Sequence, residues 1–357
     1  MNQARFCALK IAMVAPVEVR VPPVAYGGIE LVVSILTEEL VRRGHDVTLY
    51  ASGDSITDAK LISVVPEYLR KSKQDPRFAT AVNFVTCLER GNEYDIIHNH
   101  TLGLGLLSTT LVKTPVLTTI HGPLLGENLP AFQRYKGWFN VISKSEIRRF
   151  LPTSRFVGAI HNSIDCSQYP YNHDKRGDYL LFFSRFSPEK GAEDAIRAAL
   201  KLDLPLVLAG NVADPQYFKT KILPCVDGRK IRCETEVSSE RKKELMLNAK
   251  CLVAPLKWPE PFGLFMVEAL ACGTPVIAYR NGAAPEIILD GKTGFIVDSF
   301  NELLSCIKEV DRIDSYACRQ LVLDKFDVPQ LADSYLAVYK KIISKTIDSA
   351  PKVFVNN

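Results

Sequence analysis

No two of the nine cysteines form a CxxC pair or fall at a Cys/His zinc spacing, so the usual marks of a structural zinc site or a dithiol redox centre are missing. Cys251 and Cys272 sit inside apolar runs and read as small core side chains in a reducing compartment, so a cytoplasmic location is expected. No run approaches the roughly 20 apolar residues that a membrane-spanning helix requires. The N-terminal FCALKIAMVAPV is broken by Lys10 and reads as a β-strand rather than a signal peptide. The formal net charge is only +4, and without a Lys/Arg tract there is no nucleic-acid footprint. Also absent are GxxxxGK[ST], GxGxxG and Asp-x-Asp. That removes a P-loop, the dinucleotide fingerprint, and metal chelation of a diphosphate through an Asp-x-Asp pair.

What is present is a composition of 47% hydrophobic and 24% charged residues, typical of a soluble globular protein, over 357 residues, which favours two domains. Short apolar strands alternate with helical patterns, the signature of parallel α/β sheets. Strands are expected at 9–15, 46–51, 95–98, 115–120 and 155–160, then at 179–184, 204–210, 230–233, 251–256, 274–279 and 293–297. These form two tandem βα sets. The polar, turn-rich DCSQYPYNHDKRGD separates them, giving a first domain over 1–168 and a second over 169–327. VPQLADSYLAVYKKII predicts a last helix over 328–346 that packs back toward the first domain, with a loose tail over 347–357.

Sheets of this kind bind ligands at the carboxyl ends of their strands. The first strand leads into YGGIE, where Gly27 and Gly28 open a helix through Arg43 with Ile29, Val33, Leu36 and Leu40 on one face. Such a helix start offers unpaired N–H groups and partial positive charge, and glycine lets a phosphate approach; a simple tight turn explains the pair equally well. His98 and His100 follow one strand, and His121 another. Three histidines can hold a metal, but no carboxylate or cysteine at ligand spacing completes a site, so no metal is expected. His98 and His100 read as structural, whereas the Gly122-Pro123 turn should hold His121 toward the cleft.

The second half opens with FFSRFSPEKGAEDAI, in which Arg185 ends a strand and Lys190 is expected at the start of a helix with Ala192, Ala195, Ile196 and Ala199 on its apolar face. A cation there opposes the helix dipole unless an anion lies between. In WPEPFGLFMVEALACG, Glu268 is the only charge between Phe262 and Tyr279. Gly263 should open a helix that stops at Gly273, and Glu260 and Glu268 would bracket a second anion site at its start. The alternative role for Glu268 is to complement the helix dipole or pair with a buried Arg.

EPFGLFMVE is an E-x7-E element; with SRFSPEKG, YGGIE, HGP and HNSID in this order, the chain resembles the retaining glycosyltransferases of the family-four group over nearly its whole length. The resemblance implies the GT-B fold, α/β with two Rossmann-like doubly wound parallel-sheet domains facing a central cleft. It further implies a metal-independent transferase, without cofactor, moving a sugar from a nucleotide-sugar to an acceptor hydroxyl. By resemblance, Gly28 gives its N–H to the donor diphosphate, His121 contacts the donor sugar, and Arg185 and Lys190 bind the leaving diphosphate. Glu260 positions sugar hydroxyls, backbone groups from Phe262 through Gly263 and Leu264 to Phe265 meet the donor, and Glu268 holds the ribose. Gly210 and Thr235 to Val237 resemble the wall of the nucleobase pocket. Donor and acceptor would meet as the cleft closes. One departure is Asn162-Ser163-Ile164-Asp165, where the family commonly has glycine second. UDP-sugars are the first expectation and GDP-sugars the next. A nucleotide-sugar epimerase, a sugar phosphorylase and a non-catalytic sugar-nucleotide binder are the alternatives. The acceptor is open; QRYKGWFNVISKSEIRRF (133–150) offers a membrane-surface contact for a lipid-linked acceptor, but an ordinary half-buried helix and strand is favoured.

Overall fold

The short apolar runs pair into two parallel sheets in the computed structural model, which describes residues 8–72, 74–102, 104–122, 135, 137–147, 155–172 and 177–348. The first sheet holds β1 (Lys10–Val14), β2 (Asp46–Tyr50), β3 (Lys60–Ile62), β4 (Ile96–Asn99), β5 (Val116–Ile120), β6 (Trp138–Val141) and β7 (Phe156–Ala159), in the order β3-β2-β1-β4-β5-β6-β7. The second holds β8 (Leu180–Phe183), β9 (Leu206–Gly210), β10 (Ile231–Thr235), β11 (Cys251–Ala254), β12 (Val276–Tyr279) and β13 (Gly294–Val297), in the order β10-β9-β8-β11-β12-β13. In each sheet the chain starts centrally, runs to one edge, and returns to the other side of its first strand. The strand order therefore reverses between β1 and β4 and between β8 and β11, and a crevice opens there at the carboxyl ends.

Inner strands such as β9 and β12 are near-continuous apolar runs because both faces are covered, whereas β4, β5 and β6 carry the buried polar residues His98, Thr119 and Asn140; Ile11 to Val14 and all of β9 are fully buried. The α-helices of eight or more residues among the described residues are α1 (Gly28–Arg42) and α2 (Arg77–Glu89), then α3 (Ala192–Leu202), α4 (Ser239–Leu247), α5 (Leu264–Ala271), α6 (Phe300–Glu309), α7 (Ser315–Lys325) and α8 (Val328–Asp348). Val33, Leu36 and Leu40 of α1 and Ala192, Ala195, Ile196 and Ala199 of α3 are buried, as their spacing predicts. Each of the eleven expected strands is present with ends shifted by at most two residues; β3 and β6 were not expected as separate strands.

The chain folds as two units. One comprises the described parts of Met1–Ile142, Arg149–Ile160 and Leu331–Asn357, the other Ser143–Arg148 and the described parts of His161–Gln330. Residues 161–168, read from sequence with the first domain, lie in the second unit because their backbone is stitched there. Ile164 N–H donates to Phe326 O at 2.9 Å, Cys166 N–H to Asp327 Oδ1 at 2.8 Å, and Arg319 to the carbonyls of Tyr169 and Cys166, each at 2.9 Å. The Glu286 carboxylate likewise accepts the N–H groups of Lys144 and Ser145 at 2.8 and 2.7 Å. Residues of α8 from Leu331 onward belong to the first unit, where Arg43 pairs with Asp333 at 2.5 Å and Tyr335 and Tyr339 are fully buried.

The Asn162-Ser163-Ile164-Asp165 turn needs no glycine: among the described residues only Asp203 and Glu236 are non-glycines in the left-handed region. The described part of 133–150 contains β6, an inner strand with Phe139 buried. The Trp138 ring is flanked by Arg155 and Lys345 at 5.9 and 5.5 Å, a one-turn helix follows at Lys144–Ile147, and residues 133, 134, 136 and 148–150 lie outside the described residues. Among the described residues no helix is long and apolar enough to cross a membrane.

Candidate active site

In the second unit, β8 ends at the strand-order reversal and delivers Arg185 and Lys190; β11, on the other side of that reversal, delivers Trp258 and Glu260. Lys190 is not at a helix start as expected. It closes a short 3-10 turn, Pro188–Lys190, and left-handed Gly191 (φ 79°) separates it from α3. The conflict with the dipole disappears because its ammonium bonds Glu260 Oε2. Trp258 Nε1 donates to the same oxygen at 2.8 Å, and the ammonium lies 4.5 Å from the indole centroid. Burial pushes the Lys190 pKa down against the opposing pull of Glu260.

Arg185 is held far more loosely. It is 38% exposed, and among the described residues its nearest carboxylate is Glu189 at 4.0 Å and its buried Nε has no hydrogen-bond partner. A guanidinium in that condition is a planar fork available to an anion. α5 begins behind Gly263, whose φ of 89° suits glycine, and no side chain caps its first N–H groups. The Phe262 ring is buried between His161 and Phe326, so only its backbone is available to a ligand. Glu268, 3% exposed, forms a second cluster: its Oε1 accepts Tyr169 O–H at 2.8 Å and Lys242 Nζ at 2.5 Å. The partner is thus a lysine from α4, not the arginine that the sequence allowed for. In both glutamates one oxygen takes two protein donors, and the other has no hydrogen bond among the described residues. Gly210 ends β9 in register with Thr235 of β10, with half-buried Val237 two residues on and Glu236 between them at φ 55°.

Sequence reasoning missed Trp258, Lys242, Tyr169 and Gly282. The last could be found only from packing. At φ 52°, Gly282 passes so close to the Glu260 loop that an added Cβ would lie 2.2 Å from Glu260 O and 2.3 Å from Glu260 N. Ala283 N–H meanwhile donates to that carbonyl at 2.9 Å. Gly282→Ala should therefore cost about 1–3 kcal/mol in denaturant unfolding and displace Glu260. A variant with wild-type stability and turnover would show that the close approach of Gly282 to the Glu260 backbone is unimportant.

In the first unit, α1 starts at Gly28 with Gly27 before it and no side-chain cap at Gly27. Glu30, in that turn, is 5% exposed, and burial pushes its pKa up to about 7, opposed by its own backbone N–H and by Arg70. A raised carboxyl pKa stabilises the folded state fully below about 4.5, and that stability is lost as pH rises through about 7. Relative to Glu30→Gln, the wild type should lose about 2–3 kcal/mol between pH 5 and 8, read as diverging melting temperatures. Parallel curves would rule this out. Half-buried His121 follows β5, and its Nε2 lies 2.8 Å from His100 Nδ1. Among the described residues no cluster of three His, Cys, Asp or Glu side chains suits a metal.

The sequence and the fold are matched by known proteins. The family model described as "Glycosyltransferase Family 4" matches residues 26–166, and "Glycosyl transferases group 1" matches residues 167–310. The chain belongs to the family-four glycosyltransferases. Among relatives of this glycosyltransferase, the alpha-maltose-1-phosphate synthase of Mycolicibacterium smegmatis is 24% identical, over 90% of this chain and 97% of that protein. The structure of AviGT4, a glycosyltransferase of avilamycin A biosynthesis, is 25% identical with a TM-score of 0.72, covering 94% of this chain and 98% of that one. Anabaena HepE, solved with UDP and glucose, has the same fold at 20% identity and a TM-score of 0.72, covering 93% and 100%. The glycosyltransferase fold is GT-B.

Proposed function

We propose that this glycosyltransferase moves a hexose-type sugar from a nucleotide-sugar, a UDP-sugar before a GDP-sugar, to an acceptor hydroxyl with retention of configuration and without a metal. The observation that carries this reading is the Arg185, Lys190, Trp258 and Glu260 cluster at the strand-order reversal of the second sheet. Arg185 and Lys190 bind the diphosphate, and the uncapped start of α5 adds N–H donors where charge develops. The uncommitted oxygens of Glu260 and Glu268 accept hydroxyls of the sugar and the ribose respectively. In the first unit, Gly27 and Gly28 offer an anion a helix start, and an anion there would keep Glu30 protonated. As the bond from the anomeric carbon to the phosphate oxygen breaks, the acceptor oxygen bonds that carbon and its proton passes to the leaving phosphate.

The choice of UDP is supported by HepE, which binds UDP and glucose. The test is a panel of UDP-, GDP-, ADP- and dTDP-sugars scored for thermal stabilisation and for slow release of free nucleotide. One donor should stabilise the wild type and fail with Arg185→Ala. Folded protein that responds to no donor would refute the proposal.

A further inference from the structure

The chemistry proposed above leaves unused a buried chain of polar groups in the first unit. His98 has no exposure and His100 only 1%. At the inner end, the Thr119 hydroxyl donates its single hydrogen to Asn140 Oδ1 at 2.8 Å, so toward His98 Nε2, 2.7 Å away, it can only accept. Tyr335 O–H, 3.0 Å from Thr119, completes that end and accepts in turn from Asn140 Nδ2 at 3.3 Å. Burial holds His98 and His100 well below the usual imidazole range, so each ring is neutral with one proton. The His98 proton is on Nε2, and its bare Nδ1 accepts Tyr339 O–H at 2.6 Å and His100 Nε2–H at 3.3 Å. With the His100 proton on Nε2, its Nδ1 is bare, and His121 Nε2, 2.8 Å away, must donate to it. The reverse order would set two bare nitrogens, His98 Nδ1 and His100 Nε2, 3.3 Å apart.

We infer that His100 is a positioning residue: the Thr119–His98–His100 chain fixes His121 as the Nε2–H tautomer and reserves its Nδ1 as an acceptor for a hydroxyl of the bound sugar. Among the described residues His121 Nδ1 has no hydrogen-bond partner, and burial keeps the ring neutral, with a pKa of about 3. His121 therefore receives a hydrogen bond from the substrate and does not protonate a leaving group. Tyr339 ties this arrangement to α8. The catalytic consequence rests on the proposed sugar transfer, whereas the tautomer does not.

The test is a long-range proton–nitrogen spectrum of 15N-histidine-labelled protein between pH 6 and 8, with the His121 signals identified by their loss in His121→Asn. The expected pattern is a neutral Nε2–H ring that does not titrate. An Nδ1–H pattern, or titration in that range, overturns the inference. His100→Leu should lower turnover about ten- to a hundredfold and move His121 to mixed tautomers, whereas His100→Asn, whose amide oxygen can stand in for Nδ1, should retain most activity. Equal losses in both variants would reduce His100 to packing and overturn the positioning role. If His100→Leu does not fold, the wild-type spectrum and His100→Asn decide. The expected tautomer in a protein that turns over no donor would leave the inference standing and refute the proposed transfer.

Discussion

Lys190→Met should destabilise the second unit by about 3–5 kcal/mol and abolish most turnover. Lys190 is 5% and Glu260 14% exposed, so removing the ammonium strands a largely buried carboxylate with, among the described residues, only the neutral Trp258 N–H as donor. Replacing both members is a milder change, because no uncompensated charge remains. Lys190→Met/Glu260→Gln should therefore regain a large share of the stability while staying inactive. Denaturant unfolding followed at the transition of the second unit separates the cases. A single variant as stable as wild type would mean that water, not Lys190, satisfies Glu260.

Arg185→Ala should do the opposite, slowing transfer about ten- to two-hundredfold while leaving the melting temperature almost unchanged. The range corresponds to losing one charge-assisted hydrogen bond, about 1.5–3 kcal/mol, in the transition state. Stability is spared because the guanidinium is 38% exposed and its only ion pair among the described residues is at the 4.0 Å limit. Steady-state turnover beside a melting curve checks both halves. Unchanged turnover would remove Arg185 from the diphosphate site. An equal fall in melting temperature would make it a structural residue.

The contrast between these two cations shows where sequence reading stops. FFSRFSPEKG marks both, and the oddity of a lysine expected at a helix start is a sound signal of something unusual. Its resolution, Glu260 and Trp258 converging on one ammonium, joins residues about 70 positions apart, and no local pattern reports that. Strands buried on both faces were legible because Ile11 to Val14 or Leu206 to Gly210 admit no other arrangement at their length. β3 was not, since Lys60–Ile62 is three residues long with none fully buried. β6 was obscured because Asn140 interrupts its apolar character, and that asparagine is buried as a partner for Thr119. Reading His98 and His100 as structural rested on the missing ligands for a metal. Their link to His121 depends on the pairing of β4 with β5 and was invisible in the spacing. Gly282 looked like any loop glycine until the Glu260 backbone was seen beside it.

The division of the chain bears on the order in which the protein is made. The first unit is not finished when the ribosome passes residue 160, because Tyr335 and Tyr339, which complete the polar interior around Thr119, Asn140 and His98, are about 175 residues further on. Until they emerge, Thr119, Asn140 and His98 of the nascent first sheet keep one another as partners but lack the two tyrosine hydroxyls and their cover, and water must take that place. The second unit, nearly all contiguous from His161 to Gln330, can therefore complete itself first on the ribosome. Synthesis that stops short of α8 would release a chain whose later half is folded and whose earlier half is not, a species suited to capture by chaperones or proteases.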